Sequence, residues 1–481
     1  MIAPRFKKCK KNDMLAHERR YAVIKNKQSP DMNKYCDLSA LELSQIMRSG
    51  RLSAVQLSQY FLERINSYTE LNCMSQVLSQ RALQHAAYLD ELAAQGHYLS
   101  PLHGVPIVIK DSFAVAGETT WAGTTYLNQF ETQDAAIISQ LEALGLIVLA
   151  RAKMTELAFG LSGQNPMQGT PLNPCYQQPV APGGSSSGCA VAVAAGLAPI
   201  AIGGDTGGSV RVPAALNGIL GFKPSSERLN KQGNVALAPS LDSVGLMARS
   251  TEDLLELYRL LQPHAQSSEP EAKLYYLAEA DFPETLQPEV QHAWQTTLQH
   301  LQAQGYQLSP WQLPEQFNFQ QLSDWCSDII AYEGYQLHAH LADDHAVPMW
   351  SVVRQRIQRG TKISAAHYQR LLQQREQYYQ AFAASFAAAD MLLLPLSPSF
   401  APMLNEQDSS CHAIGAYSRP FNYLNVPACS LPIAYGAQGQ PIAAQLVAAQ
   451  GQEAVLLQQL QHIMYDLNLS CFQMQAKKIP I

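Results

Sequence analysis

PGGSSSGCAVAVAAGLAPIAIGGDTGGSVRVP, residues 182–213, contains two glycine-rich loops with hydroxyl side chains around one run of small apolar residues. Glycine lets a backbone approach another group closely, because no Cβ stands in the way. A flexible linker would lack the central run of Ala, Val and Ile. The segment therefore predicts a buried helix and strand that hold a functional site between two loops.

The composition of the 481-residue chain is typical of a large globular protein. Hydrophobic residues make up 47% of it and charged residues 15%, which is ample for a large buried core. The formal net charge of −6 gives no reason to expect nucleic acid or an anionic membrane as a partner. The longest apolar run, 189–202, is too short to span a bilayer, which needs about 20 apolar residues.

Nine cysteines without a CxxC pair are typical of scattered reduced thiols, so we expect a cytoplasmic protein without a disulfide framework or a zinc knuckle. Residues 1–31 are basic and show no hydrophobic period, which favours a disordered leader over a targeting arm. Residues 32–481 are expected to form the catalytic domain.

Helical and strand-like patterns alternate through the chain. Ser39 to Glu42 and Ser53 to Gln56 read as capping boxes that open helices. Strand-like runs occur early, near 102–110, 147–150 and 200–202, and again late, at 391–395, 428–433 and 442–447. Because mainly helical sequence separates the two groups, we predict an α/β fold with one large mixed central β-sheet covered by helices on both faces. A helical lobe is expected at about residues 270–390, and the polar stretch 264–270 is the best candidate for its boundary.

Ser209 is the candidate nucleophile from the residues alone. It follows two glycines whose N–H groups can converge on an oxyanion, and an activated hydroxyl beside them can attack a carbonyl. Serine needs a base, and Lys110 ends an apolar strand, where burial lowers its pKa. Ser185 or Ser186 could relay the proton. A glycine-rich bend with capping serines, or a phosphate-binding loop, remains open, although no Lys follows Gly188 as a phosphate loop requires.

The chain also resembles the amidase signature family. The pieces that carry the resemblance are LHGVPIVIKD at 102–111, GGSS at 183–186, GDTGGSVRVP at 204–213, GFKP at 221–224, LDS at 241–243, and RPFN at 419–422 with Pro427 and Ala428. They occur in the family's order over about residues 36–467. Ser185 follows Lys110 by 75 residues and precedes Ser209 by 24, which also fits the family.

The resemblance implies a role for each matched position. Ser209 would form the acyl-enzyme, Ser185 would be the bridging serine after a cis peptide bond, and Lys110 would be the final base. The oxyanion hole would be the N–H groups of Thr206, Gly207, Gly208 and Ser209. Further matched residues, Ser186, Asp205 and Arg211, are expected to support the site, with Ser186 counted among the substrate-binding residues. No metal or organic cofactor is implied.

Two departures and several other residues bear on these roles. Ser187 and Cys189 stand where the family has glycine and serine, so the relay is assigned to Ser185 by its spacing, and Cys189 is expected to be a packed residue. Phe159 and Leu161 are expected to form an apolar wall of the acyl pocket, or else to be ordinary core residues. Arg151 and Lys153 are expected to meet solvent or loop carbonyls. The cluster His338, His340, Asp343, Asp344 and His345 could be a metal site, but we interpret it as a solvated helix face and turn, because i and i+2 side chains diverge on a helix.

The predicted function is hydrolysis of the carbon–nitrogen bond of a small-molecule carboxamide, which gives a carboxylate and ammonia or an amine. One alternative is the glutaminase-type component of a tRNA-dependent amidotransferase. Such a component shares the residues matched here by Lys110, Ser185 and Ser209, but it works with partner subunits. The loop at 154–157 looks more like that of free-standing amidases. A catalytically silent binding protein is the other alternative. Relatives are commonly dimers, so a homodimer is an open expectation.

Overall fold

The computed structural model describes residues 32–264, 273–387, 389–405, 408–409 and 411–471. The basic leader at 1–31 and most of the expected boundary at 264–270 lie outside the described residues. Along the described part, no helix is both long and apolar enough to cross a lipid bilayer.

Eleven of the thirteen described strands form one mixed sheet, in the order β1-β5-β2-β6-β8-β7-β12-β13-β11-β9-β10, and β3 pairs with β4 apart from it. The strands are β1 Met74–Val77, β2 Pro106–Lys110, β3 Thr119–Thr120, β4 Gln129–Phe130, β5 Ile147–Ala152, β6 Ile200–Asp205, β7 Leu220–Lys223, β8 Ser243–Ala248, β9 Leu274–Tyr276, β10 Leu308–Pro310, β11 Met391–Pro395, β12 Ala428–Tyr435 and β13 Pro441–Val447. The large mixed sheet predicted from the sequence is confirmed.

Fourteen α-helices are described along the same residues. They are α1 Ala40–Arg48, α2 Ala54–Ser67, α3 Ser79–Ala94, α4 Ala136–Ala143, α5 Ser187–Ala194, α6 Arg211–Leu216, α7 Thr251–Leu261, α8 Pro288–Ala303, α9 Phe319–Ala342, α10 Ser351–Gln358, α11 Ala365–Ala384, α12 His412–Ser418, α13 Pro420–Tyr423 and α14 Glu453–Asp466. Short 3₁₀-helices occur at Met32–Asp37, Thr69–Leu71, Glu156–Ala158, Glu279–Asp281 and Arg359–Lys362.

The first helices begin where the sequence indicates. The hydroxyls of Ser39 and Ser53 accept hydrogen bonds from the N–H groups of Glu42 and Gln56, and both capping boxes are complete. Such caps satisfy donors that the first helical turn leaves without an intrahelical partner. Asp253 adds a second anchor, because its carboxylate accepts from the first N–H groups of α1.

The segment 182–213 forms the centre of the molecule. All eight residues of α5 and all six of β6 are buried, and the small side chains let this helix pack closely on the sheet. Gly188 shows how little space remains, since a Cβ there would lie 2.2 Å from the carbonyl oxygen of Cys73. Beside this segment, β6 runs parallel to β2 and antiparallel to β8.

Two short strands, β9 and β10, occur in the region expected to be a helical lobe. They pair in parallel with each other, and β9 pairs in parallel with β11, so together they extend the far end of the central sheet. The long helices α8, α9 and α11 come from the same region. It therefore supplies both helices and one edge of the sheet.

Candidate functional site

The site lies at the carboxyl ends of β2 and β6. Because the two strands are parallel neighbours, their carboxyl ends lie side by side, a common position for ligand sites in α/β proteins. Lys110 is the last residue of β2. The glycine loop that holds Ser209 follows β6 directly, and the loop that holds Ser185 precedes α5.

Lys110 contacts the first serine loop. Its Nζ lies 2.8 Å from Ser185 Oγ and 3.4 Å from the carbonyl oxygen of Gly204. Burial lowers the pKa of Lys110 from 10.5 to about 8, against the opposing effects of Cys189, Asp242 and Asp205. A buried ammonium loses its hydration, so the neutral amine is favoured more than in water.

Ser185 and Ser209 come from loops that are joined through their backbones. The peptide bond Gly184–Ser185 is cis, as the resemblance implies. The N–H of Ser186 donates to the carbonyl oxygen of Ser209 at 3.1 Å. Among the hydrogen bonds of the described residues, none joins Ser185 Oγ to Ser209 Oγ. Hydrogen bonds between catalytic groups are often long in unliganded proteins and tighten only around substrate.

The glycine loop around Ser209 is held by Asp205. One carboxylate oxygen accepts from the N–H of Gly208 at 2.8 Å and the other from the N–H of Val210 at 3.1 Å. In the hydrogen-bonding pattern of the described residues, the N–H groups of Thr206, Gly207 and Ser209 donate to no protein acceptor. Of the four expected oxyanion donors, only the N–H of Gly208 is therefore already used within the described residues, by Asp205.

Asp205 is itself fixed by Arg211. The guanidinium Nε of Arg211 lies 3.1 Å from Asp205 Oδ2, and both side chains are fully buried. Asn422 donates to the same carboxylate at 2.8 Å. Despite burial, the Arg211 charge and these hydrogen bonds hold the pKa of Asp205 well below its usual value. The buried anion is thus stable because it is paired and hydrogen-bonded.

Ser186 and Thr206 face away from the open space at Ser209. The Ser186 hydroxyl lies 3.3 Å from both the carbonyl and the N–H of Gly204, so it braces β6. The Thr206 hydroxyl donates to Asp242 at 2.5 Å. Both side chains are buried, so an interaction of Thr206 with a substrate would go through its backbone N–H.

A cavity of about 350 Å³ opens in front of Ser209. Gly207 and Ser209 lie at its base, and Phe159 and Leu161 form an apolar wall together with Ile330 of α9. The rest of the lining is mixed. It contains the small or apolar residues Ala158, Gly160, Leu237, Ala331 and Cys411, and the polar or charged residues Gln320, Ser323, Asp324, Ser327, Arg356, Arg359, Asp408, His412 and Arg419. The wall at Phe159 and Leu161 lies where the sequence indicates, whereas sequence reasoning missed the three arginines.

The arginines carried little signal in the sequence. Arg356 and Arg359 come from α10 and the 3₁₀-helix after it. The hydrophobic period of a helix does not indicate which distant loop its polar face meets. Arg419 stands within the matched RPFN motif, but the motif alone assigns it no partner. Only the packing of 319–419 against the central sheet brings these charges to Ser209.

Other residues singled out from the sequence lie outside the cavity. Cys189 is buried in α5, and burial raises the pKa of its thiol to about 12. His338 is mostly buried and its ring lies 3.0 Å from the carbonyl oxygen of Ala236. No group of three or more His, Cys, Asp or Glu side chains is placed to hold a metal ion in the ranges described.

Arg151 contacts loop carbonyls, one of the two environments expected for it. Its side chain is fully buried and pairs with Asp111 at 3.1 Å, at the end of β2. It also donates to the loop carbonyls of Asp111 and Phe113. The carbonyl contacts are as predicted, but solvent has no access, because β5 is an inner strand of the sheet.

The family profile named Amidase matches residues 56–457. The chain belongs to the amidase signature family. A solved structure described as an amidase superposes with a TM-score of 0.82 at 29% identity, over 89% of this chain and 99% of that one. Hydrolysis of the carbon–nitrogen bonds of amides is therefore the activity of this enzyme's family, and the predicted enzyme class is confirmed.

Curated relatives of this amidase-family enzyme carry a more specific description, the A component of glutamyl-tRNA(Gln) amidotransferase. The protein from Picosynechococcus sp. is 33% identical over 426 residues, which cover 79% of this chain and 87% of the relative. The one from Cupriavidus necator is 30% identical over 476 residues, which cover 87% of this chain and 94% of the relative.

Proposed function

We propose that this enzyme hydrolyses a small-molecule carboxamide through an acyl-enzyme on Ser209, with Ser185 and Lys110 as the proton relay. The observation that carries the proposal is the 2.8 Å contact between Lys110 Nζ and Ser185 Oγ, deep behind an open cavity that contains Ser209. The lowered pKa of Lys110 supports a base that is neutral in a useful fraction of molecules near neutral pH.

In the proposed reaction, Ser209 Oγ attacks the amide carbonyl carbon while its proton passes through Ser185 Oγ to Lys110 Nζ. The N–H groups of Thr206, Gly207 and Ser209 stabilise the oxyanion, and each such donor contributes roughly 3–4 kcal/mol. The same proton then goes to the leaving nitrogen as the C–N bond breaks. Water attacks the ester, loses a proton to the relay, and releases the carboxylate and Ser209.

A fluorophosphonate probe tests this assignment by intact-protein mass. We expect one adduct on the wild type and none on Ser209→Ala, and labelling about 10²–10⁴-fold slower for Lys110→Ala, the usual contribution of a general base. Ser187→Ala is the matched control, since its hydroxyl belongs to the same loop but lies 3.4 Å from the Lys153 carbonyl. An adduct that persists in folded Ser209→Ala would overturn the proposal.

A second candidate function is that of the glutaminase-type component of a tRNA-dependent amidotransferase, which the names of the curated relatives favour. Ammonia release from primary amides by the isolated chain supports the free-standing enzyme. The second candidate is supported if the probe labels Ser209 but the isolated chain hydrolyses no amide, and if hydrolysis appears only when partner subunits are added. That outcome would also contradict the expectation, based on the net charge of −6, that nucleic acid is not a partner. Phosphonylation of Ser209 would exclude a catalytically silent binding protein.

The remaining predictions concern the cellular location, the oligomeric state and the cofactor requirement. Cytoplasmic location and a homodimer stay predictions of the sequence, and sedimentation of the purified chain measures the second directly. The absence of a cofactor requirement is also an expectation, which activity after dialysis against a chelator tests.

A further inference from the structure

Three arginine side chains line the cavity in front of Ser209, and two of them have carboxylate partners. Arg356 pairs with Asp408 at 2.5 Å and also donates to the carbonyl oxygen of Phe159. Arg359 pairs with Asp328. Their charges are therefore balanced within the protein, and they hold the wall of the cavity together.

Arg419 differs from the other two. Among the described residues, no carboxylate or carbonyl oxygen accepts a hydrogen bond from its guanidinium, although it lines the cavity. Asp324, also in the lining, is exposed and forms no ion pair with it. Burial lowers the pKa of Arg419, and the like charges of Arg356 and Arg359 act in the same direction. An arginine stays protonated even so. The charge of Asp324 attracts this cation, but no carboxylate of the described residues forms an ion pair with it beside the reacting serine.

The backbone around Arg419 makes room for its side chain. A Cβ on Gly415 would lie 2.1 Å from Arg419 Nη1, so the guanidinium occupies space that only glycine leaves free. The stem of Arg419 lies along the glycine loop, where a Cβ on Gly207 would be 3.4 Å from Arg419 Cγ. The guanidinium thus lies over Gly415, and its stem lies against the loop that would bind the oxyanion.

The rest of the cavity fits a short hydrocarbon chain. Phe159, Leu161 and Ile330 supply an apolar surface in the same cavity. An amide whose acyl chain ends in a carboxylate would place its carbonyl at Ser209, its methylene groups on this surface and its charge at Arg419. Guanidinium and carboxylate form two parallel hydrogen bonds, which adds geometric selectivity to the charge attraction.

We propose that the acyl portion of the substrate carries a carboxylate, that Arg419 binds it, and that the substrates are monoamides of dicarboxylic acids. This inference rests on the proposed function of Ser209 and extends it to the class of substrate. Arg419 is then a specificity-determining residue, since it contacts the substrate without taking part in proton transfer.

Two phosphonofluoridate probes of equal length test the inference, one ending in a carboxylate and the other in a carboxamide, each at two spacer lengths. Ser209 Oγ bonds to phosphorus, fluoride leaves, and the serine proton passes to the relay. For the wild type we expect the carboxylate probe to react about tenfold faster or more, because a charge-assisted hydrogen bond to the half-buried Arg419 favours it.

The variants separate recognition from structure. Arg419→Gln should lose the preference while its rate with the carboxamide probe stays within about threefold of the wild type, and Arg419→Lys should keep part of the preference. Arg359→Gln is the matched control, because Asp328 already balances that charge, and it should keep the preference.

The outcomes distinguish this inference from the proposed function. Equal rates with both probes in the wild type would overturn the carboxylate assignment and leave the acyl-enzyme proposal standing. A parallel fall of both rates in Arg419→Gln would also overturn it, because the residue would then be structural. Folded wild-type protein that reacts with neither probe would overturn the proposed function itself.

Discussion

Lys110 illustrates how a single position obtains its chemistry from burial. It is the last residue of an apolar strand, its side chain is 3% exposed, and its neighbours are a serine hydroxyl and a backbone carbonyl. No carboxylate is among these hydrogen-bond partners, so the cost of burying charge is the larger effect. The result is a lysine whose pKa is near 8, low enough for a base.

The first prediction follows from this pKa. The relay requires the neutral amine, so the rate constant for phosphonylation of Ser209 should rise with pH through about 8 and level off above it. The measurement is the labelling rate from about pH 6 to about pH 10, corrected for hydrolysis of the free probe. Lys110→Ala, the control, should be slow and flat over the same range. A wild-type rate that shows no inflection, or one near the ordinary lysine pKa, would contradict the assignment.

Individual residues also show what the sequence could and could not reveal. Lys110, Ser185 and Ser209 were identifiable because each stands in a motif with fixed spacing. The burial of Arg151 was not, since it depends on β5 being an inner strand between β1 and β2. Likewise, the hydrogen bond from Gly208 to Asp205 is a matter of loop geometry that no spacing fixes.

At the scale of elements, α9 joins the cavity to the outer helices. Its residues Ile330 and Ala331 line the cavity, while Gly334, one turn later, lies against the ring of Phe159. The 3₁₀-helix at Arg359–Lys362 packs on the same helix, with Gly360 against the carbonyl of Ala331. The two glycines therefore contact different kinds of neighbour, a side-chain ring and a backbone oxygen.

The second prediction compares these glycines. A Cβ at Gly334 would lie 2.4 Å from Phe159 Cζ, and the ring can move away from the helix toward the cavity. Gly334→Ala should therefore change the free energy of unfolding by less than about 1 kcal/mol, since better helix propensity offsets the repacking. Labelling by probes with bulky acyl chains should fall several-fold, with little change for the smallest probe. Urea unfolding and labelling rates measure the two effects.

Gly360→Ala is the matched substitution with the opposite expectation. Its Cβ would lie 2.2 Å from the Ala331 carbonyl oxygen, which cannot move without bending α9. We expect a loss of about 2 kcal/mol or more in the free energy of unfolding, within the range for overpacked sites. Equal stability losses in the two variants would refute the explanation.

Most elements could be predicted because their signals are local. The capping serines before α1 and α2 appear where the sequence indicates. The strands β9 and β10 were missed, since each has only three residues and is ordered by pairing at the edge of the sheet next to β11. Short strands depend on distant partners, which a local pattern does not contain.

At the scale of the whole molecule, one buried network joins distant parts of the chain at the site. Arg211 donates to the side chain of Asn422 at 2.6 Å, to the side chain of Gln445 at 3.0 Å and to the carbonyl of Ser418 at 3.0 Å. Gln445 in turn donates to the carbonyl of Tyr417 at 2.8 Å. The C-terminal strands and helices thus complete the support of a glycine loop more than 200 residues earlier.

The third prediction tests this long-range support. Gln445→Met keeps the volume but removes the acceptor for Arg211 and the donor for the Tyr417 carbonyl, so it should cost about 1–3 kcal/mol. Because Arg211 positions Asp205, labelling of Ser209 should also slow. Gln438→Met, in the exposed turn before β13, is the control and should change stability by no more than about 0.5 kcal/mol. Urea unfolding that does not separate the two variants would contradict the prediction.

The cavity in front of Ser209 is assembled from two sources. The reacting groups come from the ends of β2 and β6 and from the loop before α5. By contrast, Phe159, Ile330, Arg356 and Arg359 come from a loop and from helices outside the central strands. The enzyme encoded by a duplicated gene could therefore change its substrate through substitutions in this loop and these helices alone, while the reacting residues stay the same. In this architecture, divergence of specificity carries little risk to catalysis.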